Sequence, residues 1–330
     1  SVMLDKGRQV VLFYSSLDDV SIASTYQINS LYAYCQQQGI DMISVAAATP
    51  EEIAEWEDLS MSSYDIYIAE DTSIKEVVIE AGVTTIGNYA FYNCSKVTSI
   101  ALPSTLKTIG DYAFYNNQLK NLTIPTSVTS IGGYAFADNT AITSLTIPGN
   151  VTTIGSYAFS GCSNIATLTL NSGIQSIGSY AFQNLKISTV TVPNSVTSIG
   201  EGAFKGCNSL VSITLPFVGS SSSVSSYAPD TSLYSDSQLF GYIFGSTTES
   251  YTSNGTNLVY QGQAYHSSSY PYRKYYIPSS LRTVTITNAT GISAYAFYGC
   301  NKLTSITLND DVTTIFSCTF YGCSSLTSVT

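Results

Sequence analysis

Few residues in this chain have the type and spacing to do chemistry. There is one histidine, His266. Ser/His/Asp or Cys/His nucleophilic catalysis would have to pass through it. The seven cysteines include no C-x-x-C pair, so neither a zinc site of familiar spacing nor a dithiol redox centre is signalled. The carboxylate pairs Glu51/Glu52 and Asp310/Asp311 are sequence neighbours on solvated turns and do not read as an acid–base pair. What remains is recognition chemistry. Tyr260, Tyr265, His266, Tyr270, Tyr272, Arg273, Lys274, Tyr275 and Tyr276 form the densest aromatic-plus-basic cluster. Tyr and Arg are the residue types enriched at interface hot spots. The competing reading is that these tyrosines cover an imperfectly packed edge.

The elements that position such residues come from a repeat. "IGNYAFYNC" (86–94) returns as "IGDYAFYNN", "IGGYAFADN", "IGSYAFSGC", "IGSYAFQNL" and "IGEGAFKGC", then as "ISAYAFYGC" (292–300) and "IFSCTFYGC" (315–323). The anchoring phenylalanines are Phe91, Phe114, Phe136, Phe159, Phe182, Phe204, Phe297 and Phe320. All are 22 or 23 residues apart except across one gap of 93. Each copy also carries L-x-x-L-x-L, for example Ile165/Leu168/Leu170. Its alternating part predicts a strand with one buried face.

A second apolar pair and the Ala-Phe step complete one coil. The expected architecture is a right-handed solenoid whose strands stack in parallel at about 4.8 Å. Ile at Phe−5, Ala at Phe−1 and the Phe itself fill the interior. Gly at Phe−4 is expected to serve a turn needing positive φ. Cys94, Cys162, Cys207, Cys300 and Cys323 at Phe+3 share their slot with Asn117, Asn139 and Leu185, so they read as buried small hydrophobes. Cys300 and Cys323, one coil apart, are also within reach of a bridge. Tyr89, Tyr112, Tyr134, Tyr157, Tyr180 and Tyr295 at Phe−2 read as a partly exposed stripe. The outward strand positions form Ser/Thr ladders that include Thr167, Thr169, Thr189, Thr191, Thr283 and Thr285. They are either a solvated face or an uncharged concave contact surface.

This pattern resembles the BspA-like leucine-rich repeat family, over about residues 72–216 and 278–330. The resemblance implies a repeat solenoid, β-rich, with 22–23 residues per coil. It also implies a surface or secreted protein that binds host or neighbouring-cell protein or glycan without catalysis and without a cofactor. Residues 217–277 interrupt the period. They resemble a family variant of the form "PFVG…FGYIFG…YIPSSL", an expanded, Tyr-rich repeat whose loops project from one edge.

Residues 1–71 do not repeat. Strands are expected at 9–15, 41–47 and 64–70, with helices at 20–39 and 50–59. This βαβαβ order implies a small parallel sheet capping the solenoid, residues 72–330. The stretch "TPEEIAEW…YDIYIAEDTSIKEVV" is similar to thioredoxin-like domains. The sequence after the first strand, "YSSLDDVS", lacks their C-x-x-C, so no catalytic residue carries over.

Charge argues against nucleic acid as a partner. Only 10% of residues are charged, and the net charge is −10. Residues 1–80 carry 14 acidic and 3 basic side chains, a net −11, so the body is nearly neutral. No basic stripe is present to meet phosphates. No apolar run approaches the roughly 18 residues that span a bilayer. The start at Ser1 without Met reads as a trimmed end, and the stop at Thr330 inside a strand reads as an array that continues. Two other classes remain from sequence: a structural spacer presenting other domains, and a degenerate thioredoxin-like redox domain fused to repeats.

Overall fold

The computed structural model describes the backbone of residues 10–14, 41–46, 66–68, 75–79, 81–222, 236–247, 256–261 and 273–330. Side chains are described over 75–79, 81–222, 237–246 and 275–330. The repeats form a parallel β-solenoid of about nine turns with almost no helix.

Each regular coil has three sides. The L-x-x-L-x-L motif makes a front strand, such as Ser144–Ile147 and Thr167–Leu170. Period-two alternation buries Leu145, Ile147, Leu168 and Leu170 and turns Ser144, Thr146, Thr167 and Thr169 outward. A Pro then closes the strand, and its carbonyl accepts from the residue three on, as in Val151 N to Pro148 O at 3.1 Å. A two-residue side strand follows, such as Thr153–Ile154. The Tyr-Ala-Phe segment makes the third side. It also bonds coil to coil: Phe136 N donates to Ala158 O and Phe159 N to Ala181 O, both at 2.8 Å.

The interior is a column of phenylalanines. Phe91, Phe114, Phe136, Phe159, Phe182 and Phe204 stack with centroids 5.1–5.9 Å apart and ring planes within 20° of parallel. Offset stacking of this kind adds about 0.5–1.5 kcal/mol per pair to the gain from burial.

The glycines at Phe−4 do a different job from the one expected. Gly110, Gly132, Gly155, Gly178 and Gly200 are absent from the positive-φ residues. They are required because backbones touch: a Cβ on Gly155 would lie 2.4 Å from the carbonyl carbon of Gly132. The positive-φ positions are Phe−2 and Phe+2. Phe+2 holds Asn93, Asn116, Asp138, Gly161, Asn184, Gly206, Gly299 and Gly322, the types that tolerate the left-handed region. Phe−2 holds the tyrosines, Gly202 and Cys318.

The Phe+3 slot is an interior hydrogen-bond station. Cys162 Sγ donates to Phe136 O at 3.1 Å and Cys207 Sγ to Phe182 O at 3.2 Å. Asn139 Nδ2 does the same to Phe114 O at 2.7 Å. Burial pushes the Cys162 and Cys207 thiols up to about 12. Cys300 and Cys323 are not joined by a disulfide. Cys323 Sγ faces Phe297 O at 3.1 Å, so it is held in its own coil's slot and not by a bridge.

The expanded repeat keeps the stack continuous. Front strand Ser212–Leu215 pairs directly and in parallel with Thr283–Ile286, across about 70 residues of sequence. The segment Phe240–Phe244 fills the coil interior as a 3-10 turn. It divides the phenylalanine role. Ile243 O accepts from Phe204 N on the preceding side, and Phe240 N donates to Ala296 O on the following side. Phe240 packs on Phe297 at 5.0 Å and on Phe244 at 5.3 Å. Outside this turn, strands Thr256–Gln261 and Arg273–Pro278 form an antiparallel hairpin with Ser246–Thr247 on its other edge.

In the N-terminal block, Val10–Tyr14, Asp41–Ala46 and Ile66–Ile68 form a parallel sheet in that order. The helices expected at 20–39 and 50–59 lie outside the described residues.

One slot is frustrated. Asn117 is fully buried, and neither its Oδ1 nor its Nδ2 has a partner among the described residues. Its coil is 22 residues long, like the one in which Leu185 fills the same slot. Asn117→Leu is therefore expected to stabilise the protein by about 1–3 kcal/mol, the desolvation penalty of an unpaired buried amide. Urea denaturation reads this as a raised midpoint. An unchanged or lowered midpoint contradicts it.

Candidate functional site

The outward Thr and Ser residues form two rows across the front strands. Thr167 pairs with Ser144 and Thr169 with Thr146. Thr189, Ser212, Thr283 and Ser305 follow one another in register, as do Thr191, Thr214, Thr285 and Thr307. Thr167, Thr169, Thr189 and Thr191 are exposed, and Thr283 and Thr285 are half-buried beside the expanded repeat. Strand spacing puts successive hydroxyls about 4.8 Å apart along each row. The rows offer donors and acceptors without charge, on a backbone whose own groups are used between coils. Such a surface can hold a partner by hydrogen bonds and shape; it supplies no activated nucleophile.

The Tyr-rich cluster is divided. Tyr265, His266, Tyr270 and Tyr272 lie outside the described residues, on the segment that joins the two hairpin strands. Arg273 and Lys274 begin strand Arg273–Pro278, opposite Gln261 and Tyr260. Tyr275 departs from the expectation of a contact residue. It is 1% exposed and belongs to the core. Strand alternation is the reason: Tyr275 and Ile277 face inward, and Tyr276 faces outward. Tyr276 meets Lys205, whose Nζ lies 4.9 Å from its ring centre and 5.5 Å from that of Tyr180. The ammonium between two rings fastens the hairpin to the solenoid. Glu201 adds a second tie, accepting from Ser246 N at 3.2 Å and Ser246 Oγ at 2.6 Å.

With this geometry in place, the comparisons with known proteins give one family. The sequence model of the BspA type leucine rich repeat region matches in six copies, over residues 65–151, 131–235 and 271–330. The chain belongs to the BspA-type leucine-rich repeat family. Among solved structures it is similar to a leucine-rich repeat protein from Bacteroides ovatus, at 22% identity over 80% of this chain and 70% of that one, with a TM-score of 0.37. A leucine rich cell surface protein from Faecalibacterium prausnitzii shows 23% identity over 78% and 69%, TM-score 0.40. The pneumococcal vaccine antigen PcpA shows 19% identity over 79% and 61%, TM-score 0.42. No curated protein sequence matches the chain.

The third face of this BspA-type solenoid carries an aromatic ladder whose form sequence reasoning missed. Tyr89, Tyr112, Tyr134, Tyr157 and Tyr180 stack face to face, with centroids 4.9, 4.5, 4.5 and 4.7 Å apart and planes within 14°. All five have φ between 54° and 60°. A non-glycine residue there costs about 1–2 kcal/mol, and ring stacking offsets much of it. The row ends at Gly202, where a Cβ would lie 2.5 Å from the Tyr180 ring. Tyr92 and Tyr115 stack alongside at 5.0 Å. The ring faces inside the row are spent on one another. Edges and hydroxyls point outward, so a sugar cannot lie flat on an internal ring. The signal in the sequence was Gly202 itself: the only other residue at Phe−2 in the first six coils is the one type that needs no strain.

Burial raises the phenols of Tyr112, Tyr134, Tyr157 and Tyr180 above 10, helped by neighbouring phenols. Burial and a hydrogen bond to Asp138 push Tyr115 up to about 12. The folded state therefore favours neutral phenols. That stability is fully present below the ordinary pKa of 10 and is lost as pH rises through the raised folded-state values, about 12 for Tyr115. A spectrophotometric titration is expected to show a late phenolate fraction, with the melting temperature falling above pH 10. A single transition near 10 contradicts this. Thiol labelling of the native protein is expected to modify Cys318, which is exposed, and to spare Cys162, Cys207 and Cys300 until unfolding.

Proposed function

We propose that this chain is a non-catalytic recognition module of the extracellular space or cell surface, binding a protein or glycan of a host or neighbouring cell. The observation that carries the proposal is the pair of uncharged hydroxyl rows on the front strands. They hold register from Thr189 to Thr307 across the expanded repeat. Membership of the BspA-type family supports it. No helix among the described residues is long and apolar enough to cross a membrane.

Affinity would come from contact area and polar complementarity. The stacked coils pre-set the surface, which lowers the ordering cost of binding. Thr167, Thr169, Thr189, Thr191, Thr283 and Thr285 form the core of the proposed surface. Tyr265, His266, Tyr270, Tyr272, Arg273 and Lys274 form a second candidate patch on the hairpin and its connection.

A glycan array and an extracellular-matrix protein panel test the proposal. Thr169→Arg/Thr191→Arg places bulk on the exposed rows and is expected to weaken a captured ligand at least tenfold, about 1.4 kcal/mol. A variant with residues 217–277 replaced by a regular repeat separates the hairpin patch from the rows. Loss of binding only in the second variant moves recognition to the Tyr-rich segment. Absence of any ligand for a well-folded sample favours a spacer and contradicts the recognition proposal.

A further inference from the structure

The two short coils of the N-terminal array are not equivalent. Regular coils turn through four residues at Phe+3, such as Cys94-Ser95-Lys96-Val97 and Asn139-Thr140-Ala141-Ile142. The Phe114 coil has only Asn117-Gln118-Leu119. In the longer turns Ser95 N donates to Asn93 O and Thr140 N to Asp138 O, inside the turn. In the short one Gln118 N reaches back to Val97 O of the preceding coil at 2.9 Å. The short turn is drawn against its neighbour, and the flanking turns stand proud of it.

The result is an open notch of about 510 Å³, lined by Lys75, Ser95, Lys96, Thr98, Gln118 and Lys120, with Ala141 on the far side. It gathers three of the seven lysines whose side chains are described, on a body that is nearly neutral. All three are exposed, and none has an ion pair among the described residues. The same backbone device recurs at Leu185-Lys186-Ile187, where Lys186 N donates to Ile165 O at 3.0 Å. There the flanking turn residues are the neutral Ser163, Asn164, Asn208 and Ser209. The charge at the first notch is therefore a property of its side chains, beyond what the turn requires.

We infer that this notch is an anion-binding subsite for an acidic glycan, taking a sulfate or carboxylate substituent between Lys75, Lys96 and Lys120. Three ammonium groups around a concavity focus positive potential there. Lysine supplies mobile point charges, which suit a tetrahedral or carboxylate anion without a fixed bidentate geometry. Gln118, Ser95 and Thr98 offer neutral hydrogen bonds to the sugar hydroxyls. The outward row of these strands runs from Glu76 through Ser99 to Asn121, so a chain held by its anion can extend from Ser99 toward Asn121, away from the Glu76 carboxylate. A nucleic acid is the poorer fit, because the notch is one local group of three lysines with no aromatic residue in its lining to stack a base. The subsite does not depend on the Thr rows being the principal contact surface.

The test uses the full chain and calorimetry. The probes are a sulfated glycosaminoglycan oligosaccharide, its desulfated form, a polyuronate oligosaccharide and inorganic sulfate. The expected result is binding of the sulfated or the uronate chain that weakens steeply with salt. Lys75→Gln/Lys96→Gln/Lys120→Gln should weaken it at least about tenfold. Lys107→Gln/Lys186→Gln/Lys302→Gln removes the same charge from exposed positions elsewhere and should leave binding within about twofold. Equal weakening by the two triple variants would show a net-charge effect and overturn the site. Failure of both acidic chains to bind the folded protein would overturn it as well. Displacement by inorganic sulfate at equal anion concentration would overturn the assignment to a glycan.

Discussion

Coil must stack on coil at the separation of paired strands, about 4.8 Å, on all three sides of the solenoid at once. The rest of the structure follows from that distance. It brings backbones so close at Phe−4 that a Cβ on Gly155 would be 2.4 Å from Gly132. It sets the phenylalanine column at 5.1–5.9 Å. It forces the tyrosines at Phe−2 into face-to-face contact. A repeat of this kind has no core of its own, and its stability lies in the interfaces with its neighbours.

The same constraint shapes what the protein presents. Backbone donors and acceptors are consumed between coils, so the faces present side chains to solvent. On the front these are hydroxyls in straight rows. On the Tyr-Ala-Phe side they are ring edges and phenols. Departures from the regular coil produce uneven features: a shortened turn places Gln118 in a notch with lysines, and an expanded turn carries a hairpin. The expanded turn does not interrupt the stack, because Phe240 and Phe244 share the work of one phenylalanine.

Most of the fold was legible because each coil repeats the same demands. Spacing located the interior Ile, Ala and Phe, and the outward Thr rows are where alternation placed them. Three features were not legible. The glycine column looked like a positive-φ requirement, since sequence alone does not separate backbone crowding from backbone conformation. Tyr275 looked like a surface residue within a tyrosine run, and only the pairing register of Arg273–Pro278 reveals that it faces the core. The lysine notch joins residues 75, 96 and 120 from separate coils. It depends on a one-residue shortening whose effect is visible only when the turns are stacked. Tyr265, His266, Tyr270 and Tyr272 lie outside the described residues, and their part in recognition stands as proposed.

The stack is continuous at the expanded repeat and carries the hydroxyl rows across it. Native-state hydrogen exchange tests this most directly. The amides of Thr283–Ile286 should be protected to the same degree as those of Thr167–Leu170, through their pairing with Ser212–Leu215. Fast exchange in Thr283–Ile286, with protection kept in Thr167–Leu170, would show two separate arrays and contradict it.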